Sequence, residues 1–247
     1  MTVPNDRLPV SDTVDVGGAA GATAAVAQPS FSDFPGTTTV LLIRHGRSAD
    51  VVPGSPESSD PGLHEVGKQQ AAALANRLAD KQIDAVYASH LARAVETARP
   101  LADARGLAVQ TVEDLQEVLL GDWGEGEFRR RAAMGDPEFL AAMATGRWDA
   151  IPGAERDEDL RARVTAVVQG VGDNHPDQTV AVVSHGGAIN ACLCGLFGID
   201  RSHMAAIENT SITTVTLRAG APARLVTLND CNHLYDPVYG PQAALGG

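Results

Sequence analysis

The feature that most constrains the fold of this 247-residue chain is an unbroken apolar run, VLLI, at residues 40–43. Its length and its two β-branched residues, Val40 and Ile43, are typical of a strand that is buried on both faces of a parallel sheet. The run stops at Arg44, His45 and Gly46, which places a guanidinium and an imidazole at the carboxyl end of that strand. Ligands bind at this end in open α/β sheets, so the tripeptide indicates either an anion site or a solvated surface turn.

Ser48 follows shortly after this tripeptide. Hydroxyl residues often cap helices, and the free N–H groups of a first helical turn attract anions. We therefore expect Ser48 to begin a helix that contributes to the same site. Residues 51–62 are rich in Pro, Gly, Ser and Asp and are expected to form a loop over this edge of the sheet.

Short apolar runs alternate with helical patterns through the rest of the chain. Further strands are predicted at residues 83–88, 107–112 and 179–183. Helices are predicted at residues 63–81, 89–106, 129–151, 155–170 and 188–197. The alternating segment after residue 207 predicts a hairpin of two antiparallel strands. This order of elements indicates an α/β domain.

A second buried strand ends in the same way as the first, because residues 179–183 are followed by Ser184, His185 and Gly186. Arg93 lies in the first turn of the helix that follows strand 83–88. Taken singly, a buried histidine is usually structural and a helical arginine is usually solvated. Because the carboxyl ends of parallel strands meet at one edge, we expect these two histidines and two arginines to converge on one anion.

Two further groups are candidates for the site. Glu117 stands among Leu115, Val118 and Leu119, and an acid in apolar surroundings is suited to proton donation. Residues 129–131, RRR, form the densest basic cluster of the chain. We favour a solvated start of a helix for this cluster over a lid that attracts an anionic substrate.

Composition limits the classes of function. The chain has 31 acidic and 19 basic residues and a net charge of −12, which argues against a nucleic-acid or anionic membrane surface. The three cysteines form no metal-binding or redox pattern, so buried reduced thiols are expected. No apolar run is long enough to span a bilayer and no secretory signal is evident, so the expected location is cytoplasmic.

The composition also divides the chain. Residues 1–36 are rich in Ala, Gly, Pro, Ser and Thr without sustained periodicity, and we expect a mostly disordered tail, with a partner-docking arm as the alternative. Residues 37–236 are expected to form one domain, followed by a flexible tail at residues 237–247.

Five motifs occur in the order found in the histidine phosphatase superfamily, the phosphoglycerate mutase-like group, which the chain resembles over about residues 38–235. The motifs are RHG at residues 44–46, LxxxGxxQA at 63–71, SxLxRAxxTA at 89–98, LxExxxGxW at 115–123 and VSHGGxI at 183–189. The resemblance implies a three-layer αβα sandwich with a central, mostly parallel sheet.

The resemblance also implies roles for the candidate residues. His45 would be the nucleophile that becomes phosphorylated, and Glu117 would protonate the leaving oxygen. Phosphate-binding candidates are Arg44, Arg93, His185, Ser48 and Gly186. No cofactor is implied, and no metal ion is required where so many cations surround the phosphoryl group. For one ring nitrogen of His45 to attack, the other ring nitrogen must donate a hydrogen bond to a fixed acceptor. The sequence does not identify that acceptor.

Three functions follow as hypotheses. The leading one is a metal-independent phosphomonoesterase that acts on a small phosphorylated metabolite. A phosphoglycerate-type mutase is less favoured, because the segment between Glu117 and Glu155 is too short for the insert typical of cofactor-dependent mutases. A non-catalytic phosphate-binding regulatory module would need a lost catalytic residue, and all five are present. A homodimer is left open.

Overall fold

A computed structural model of the protein describes residues 34–236 and 240–241. The predicted tails at residues 1–36 and 237–247 therefore lie almost entirely outside the described residues. The strands are β1 Thr38–Arg44, β2 Ala85–Ser89, β3 Val109–Val112, β4 Thr179–Ser184, β5 Ile212–Leu217, β6 Arg224–Asp230, β7 Tyr235–Asp236 and β8 Gly240–Pro241. The helices are α1 Glu65–Arg77, α2 Ala92–Asp103, α3 Glu127–Met134, α4 Pro137–Ala144, α5 Asp157–Asn174 and α6 Gly186–Phe197.

A six-stranded mixed sheet forms the centre, in the order β3-β2-β4-β1-β5-β6. The first four strands in this order are parallel to one another, and β5 and β6 continue the sheet as an antiparallel hairpin. Strand β3 lies at one edge of this sheet and β6 at the other. The separate pair β7 and β8 consists of two residues in each strand.

Alternate residues of β1 face two separate apolar layers. Val40 and Leu42 pack in a cluster with apolar side chains of α5 and α6, whereas Leu41 and Ile43 pack in a cluster with those of α1 and α2. The strand is buried on both faces, which explains its continuous apolar run. The predicted three-layer αβα sandwich with a mostly parallel central sheet is confirmed.

Three local predictions need correction. Ser48 begins no helix, because the loop after β1 pairs with the segment before α1: Ala49 N–H donates to Gly62 O at 2.8 Å, and His64 N–H donates to Arg47 O at 3.0 Å. The N-cap of α1 is instead His64. The segment 129–151 is helical only to Ala144, with the predicted break before Pro137, and α5 extends to Asn174.

The backbone after β1 approaches α1 so closely that neither side of the contact has room for a side chain. A Cβ on Gly46 would lie 2.7 Å from Gly67 O, and a Cβ on Gly67 would lie 2.1 Å from Arg47 O. Glycine is the residue that permits such an approach. The glycine of the second motif is therefore explained by its contact with the loop that carries His45.

All three cysteines are free, and Cys192 and Cys194 are buried. Burial raises the pKa of the Cys192 thiol to about 12. These thiols are therefore unreactive apolar side chains of the core. Within residues 34–236 no helix is long and apolar enough to cross a membrane.

Replacing Gly67 with Ala should destabilise the fold by about 1–3 kcal/mol, because the new methyl group must displace a backbone carbonyl. Gly170, inside α5, is the matched control, since a Cβ there meets no atom within 4 Å. The free energy of unfolding of the G170A variant should rise by up to about 1 kcal/mol, because Ala is favoured over Gly inside a helix. Urea unfolding measures both changes, and equal effects of the two substitutions would contradict the close approach.

Candidate active site

The two predicted histidines meet at the carboxyl edge of the parallel strands. Arg44, at the end of β1, is in register with Ser184, at the end of β4, so the next residue of each strand lies beside the other. The ring centroids of His45 and His185 are 5.0 Å apart. The predicted convergence of the two imidazoles is therefore confirmed by the geometry.

His45 is held in one neutral tautomer. Its Nδ1 lies 2.7 Å from the carbonyl oxygen of Gly46, which only accepts hydrogen bonds, so Nδ1 carries the proton and Nε2 has a free lone pair. Burial lowers the pKa of His45 well below its usual range, and the charges of Arg93 and Arg44 lower it further. A neutral imidazole with an unprotonated Nε2 is the form that can act as a nucleophile.

His185 lies deeper than His45 and is fully buried. Neither of its ring nitrogens has a hydrogen-bond partner among the described residues. Burial lowers its pKa well below the usual range, with further contributions from His45 and Arg93. The structure therefore places a neutral imidazole with one N–H donor next to His45.

Arg44 and Arg93 approach this histidine pair from different elements. Arg44 donates from Nη1 to the carbonyl of Ile207 at 2.6 Å, and its Nε has no partner among the described residues. Arg93 lies in the first turn of α2, with Nη1 3.6 Å from Oδ1 of Asp60. Burial lowers the pKa of both guanidinium groups, which still remain charged because arginine titrates far above neutral pH.

Glu117 is held at the N-terminus of α6. Its Oε1 accepts hydrogen bonds from the backbone N–H groups of Val118 at 3.0 Å and Ala188 at 3.1 Å, and its Oε2 accepts one from Gly187 at 3.3 Å. A Cβ on Gly187 would lie 2.5 Å from Oε1, so only glycine leaves room for this carboxylate. The second glycine of the VSHGG motif is thereby explained.

The remaining two candidates lie nearby but differ in their surroundings. Ser48 lines the cavity, and its Oγ accepts a hydrogen bond from Nη2 of Arg129 at 2.9 Å. Gly186 is the first residue of α6, and a Cβ on it would lie 3.6 Å from Nε of Arg44. The backbone of Gly186 therefore lies beside the guanidinium that faces the histidine pair.

The family model of the histidine phosphatase superfamily (branch 1) matches residues 40–231. The chain belongs to the histidine phosphatase superfamily. Sequence reasoning from the five motifs identified this family and the enzyme class correctly. The phosphoglycerate mutase-like fold is also confirmed, since the structure of phosphoglycerate mutase from Bacillus anthracis superposes with a TM-score of 0.66 at 22% identity, covering 82% of this chain and 96% of that one.

Two curated relatives and one solved structure illustrate the similarity. Phosphoglycerate mutase-like protein 4 of Arabidopsis thaliana is 33% identical over 216 residues, which are 84% of this chain and 91% of the relative. The metal-independent phosphoserine phosphatase of Arabidopsis thaliana is 32% identical over 189 residues, 73% of this chain and 77% of the relative. The structure of mycobacterial glucosyl-3-phosphoglycerate phosphatase superposes with a TM-score of 0.65 at 28% identity, covering 78% of this chain and 99% of that one.

Three residues that support the histidine of this phosphatase were missed as site residues in the sequence. Thr97 Oγ1 accepts from Gly46 N–H at 2.9 Å, and Gln70 Oε1 accepts from Arg47 N–H at 2.7 Å. Asn209 Nδ2 donates to the carbonyl of His45 at 2.8 Å. Gln70 and Thr97 belong to quoted motifs and were available as signals, whereas Asn209 lies in no motif.

Arg129 is a fourth missed residue, because the favoured prediction for its cluster was a solvated helix start. That prediction suits Arg130 and Arg131, which both pair with Glu127. Arg129 instead lines the cavity and donates to two neutral acceptors, Ala49 O at 3.0 Å and Ser48 Oγ. Its charge is one of those that lower the pKa of His45.

A cavity of about 560 Å³ opens above these side chains. Its lining combines the charged groups already described with the aromatic side chains of Trp123, Phe128 and Trp148. Residues of the loop at 51–62 also line the opening, as the sequence predicts. Within the described part of the chain, no group of three or more His, Cys, Asp or Glu side chains could hold a metal ion.

The lowered pKa values of His45 and His185 predict a stability that depends on pH. Both imidazoles are neutral in the folded protein, whereas the unfolded chain takes up protons below pH of about 6.5. The free energy of unfolding should therefore fall as pH drops from 6.5 to 5, by up to about 1.4 kcal/mol per pH unit for each imidazole. Urea unfolding at several pH values measures this slope.

The H45Q and H185Q variants test which groups cause the slope. Each should unfold with a shallower pH dependence than the wild type over this range, because one protonation site is missing from the unfolded chain. A slope that both substitutions leave unchanged would show that these imidazoles are not kept neutral by the fold.

Proposed function

We propose that this protein hydrolyses phosphate monoesters of small metabolites without a metal ion, through a phosphohistidine at Nε2 of His45. The observation that carries the proposal is the Nδ1–Gly46 O hydrogen bond of 2.7 Å, which leaves Nε2 unprotonated. This nitrogen belongs to a ring that lies beside His185 and within the electrostatic influence of three arginines. The arrangement is suited to in-line attack on a phosphorus atom.

In the first step, the Nε2 lone pair of His45 forms a bond to phosphorus and the ester P–O bond breaks. The carboxyl group of Glu117 acts as the general acid of this step and transfers a proton to the departing alkoxide, so that the alcohol leaves neutral. The guanidinium groups of Arg44 and Arg93 and the N–H of His185 bind the equatorial oxygens, where charge accumulates in the transition state. Ser48 and the N–H of Gly186 are further proposed phosphate ligands.

In the second step, water attacks the phosphorus atom of phosphohistidine. The Glu117 carboxylate accepts a proton from that water, the P–N bond breaks, and inorganic phosphate is released. His45 returns to the neutral tautomer, because the Gly46 carbonyl still holds the Nδ1 proton. Glu117 returns to the protonated form, which completes the cycle.

Metal independence is supported by the positive charge that the chain itself supplies. Arg44, Arg93 and Arg129 all act on His45 electrostatically, so a phosphate dianion meets three guanidinium groups in one cavity. Planar guanidinium groups bind phosphate oxygens in several directions and do not lose their protons. The chain is similar to the metal-independent phosphoserine phosphatase of Arabidopsis thaliana, whose name agrees with this chemistry.

A second acidic group on the substrate is supported by the position of Arg129. Its hydrogen-bond partners are neutral, so its charge is available to a ligand in the cavity. Two similar proteins are named for phosphoserine and glucosyl-3-phosphoglycerate, both of which carry a carboxylate beside the phosphate ester. We therefore propose a phosphorylated carboxylic acid as the substrate class.

The extent of the domain, the location of the protein and its partners are further proposals. We propose that residues 37–236 form the catalytic domain, within which the family match lies. A cytoplasmic location is supported by the free thiols, which suit a reducing compartment. The net charge of −12 argues against nucleic acid as a partner.

The purified protein should release phosphate from p-nitrophenyl phosphate and from phosphoserine in the presence of EDTA. The H45A variant should be inactive, because the nucleophile is gone. The H90A variant is the matched control and should keep its activity, since His90 is exposed at the end of β2. Colorimetric phosphate assay gives the rate, and acid-labile phosphoprotein trapped by rapid quenching identifies the intermediate.

Other outcomes of this experiment separate the competing functions. Loss of turnover with EDTA and its recovery with zinc or magnesium would show that the metal-free mechanism is wrong. A phosphorylated isomer as the main product would favour the mutase. Absence of any turnover with phosphate binding retained would favour the regulatory module.

Replacing Arg129 with Ala should raise KM for phosphoserine by about tenfold, because a charged hydrogen bond to the carboxylate contributes about 1.5 kcal/mol. The effect on p-nitrophenyl phosphate, which has no carboxylate, should be smaller. The R130A variant is the control, since Arg130 is paired with Glu127 and lies outside the cavity lining. Steady-state kinetics on both substrates measure the difference, and an equal loss on the two would disprove carboxylate recognition by Arg129.

A further inference from the structure

Trp148 carries a buried hydrogen-bond donor that the proposed reaction does not use. Its side chain lies in the segment between α4 and α5 and is only 7% exposed. The indole Nε1 has no acceptor among the residues that the structure describes. Buried polar groups in folded proteins are nearly always paired, so an unpaired donor calls for an explanation. Because Trp148 lines the active-site cavity, a ligand can supply the acceptor.

The nitrogen-bearing edge of this indole lies close to Glu117. A Cβ built on Gly187 would lie 3.0 Å from Cζ2 of Trp148 and 2.5 Å from Oε1 of Glu117. In an indole, Cζ2 and Nε1 are bonded to the same carbon atom, so the donor is at this edge of the ring. The Glu117 oxygens are already occupied by three backbone N–H groups. The donor is therefore next to the group that protonates the leaving oxygen.

A buried carboxylate fixes the position of Trp148. Asp157, the first residue of α5, is 1% exposed, and its Oδ1 accepts from the backbone N–H of Trp148 at 3.1 Å. The same oxygen accepts from the hydroxyl of Ser202, and Oδ2 lies 3.2 Å from Nε of Arg147. The ring of His203 packs against the indole with centroids 4.2 Å apart. The carboxylate network thus fixes the backbone that carries the indole, and the His203 ring restrains the indole itself.

We propose that the Trp148 Nε1–H donates a hydrogen bond to an oxygen of the substrate's alcohol portion, and that Asp157 is a positioning residue that acts through Trp148. The inference rests on the proposed function, because it concerns the leaving group of the same reaction. Since the donor lies beside Glu117, the accepted oxygen is close to the ester oxygen. An ester whose alcohol portion carries a second hydrogen-bond acceptor near the ester oxygen is therefore the preferred substrate.

Two esters with the same carbon chain test the proposal. Glycerol 3-phosphate has a hydroxyl next to the ester carbon, and propyl phosphate lacks it. The wild type should have the higher kcat/KM for glycerol 3-phosphate. In the W148F variant, which keeps an aromatic ring but has no N–H, the ratio of the two kcat/KM values should fall by about 3- to 10-fold, as for one neutral hydrogen bond.

The F128L variant is the control for ring packing, because Phe128 lines the same cavity, packs against Trp148 with ring centroids 5.8 Å apart and has no donor. It should leave the ratio of kcat/KM values as in the wild type. A ratio that is unchanged by W148F, or changed equally by F128L, would overturn the proposal. If the wild type releases phosphate from no ester at all, the proposed function itself fails; if it releases phosphate and only the ratio is unaffected, this inference alone fails.

The role of Asp157 is tested in two backgrounds. D157N should lower the same ratio in the wild type and should have no further effect on it in W148F, because both substitutions act on one hydrogen bond. S202A, a milder change in the same network, serves if D157N fails to fold. A fall in activity that is equal for the two esters, or that adds to W148F, would show that Asp157 is only structural.

Discussion

The close contact between the backbone after β1 and the first turn of α1 determines where the reactive imidazole lies. Gly46 and Gly67 meet without side chains between them, so the chain turns sharply after the strand. This turn directs the carbonyl of Gly46 to Nδ1 of its own neighbour His45. Gln70 and Thr97 then hold the same turn by hydrogen bonds to its N–H groups. The tautomer of His45 is thus a consequence of how helix and strand pack.

The second constraint is electrostatic. A chain with a net charge of −12 brings Arg44, Arg93 and Arg129 together around one cavity. Burial and this concentrated positive charge lower the pKa of both histidines, so in the proposed reaction a neutral imidazole attacks while the arginines balance the charge of the phosphate. Glu117 lies within the same field, held by backbone N–H groups at the start of α6. The arginine charges therefore act on the two histidines, whereas backbone hydrogen bonds hold Glu117 in place.

The sequence predicts structural features that depend on apolar periodicity and on strand ends better than features that depend on loop geometry. The buried strands and the convergence of His45 with His185 follow from apolar runs that stop at polar residues. Ser48 was wrongly expected to begin a helix, because its segment pairs with residues 62–64 instead. The Gly46 carbonyl could not be named as the acceptor, since every residue has a carbonyl and only the fold selects one.

The residues that line the cavity differ in how much of their role the sequence reveals. The proposed phosphate ligands lie mostly at strand ends and in first helical turns, where regular elements fix each side chain and leave recurring motifs. Phe128 and Trp148 line the same cavity from the segments between β3 and α5 and belong to none of these motifs. There, a role is visible only through an unpaired donor such as the Trp148 N–H. In the proposed reaction the phosphate ligands bind the group that all phosphate esters share, so selection among esters depends on the other side chains of the cavity.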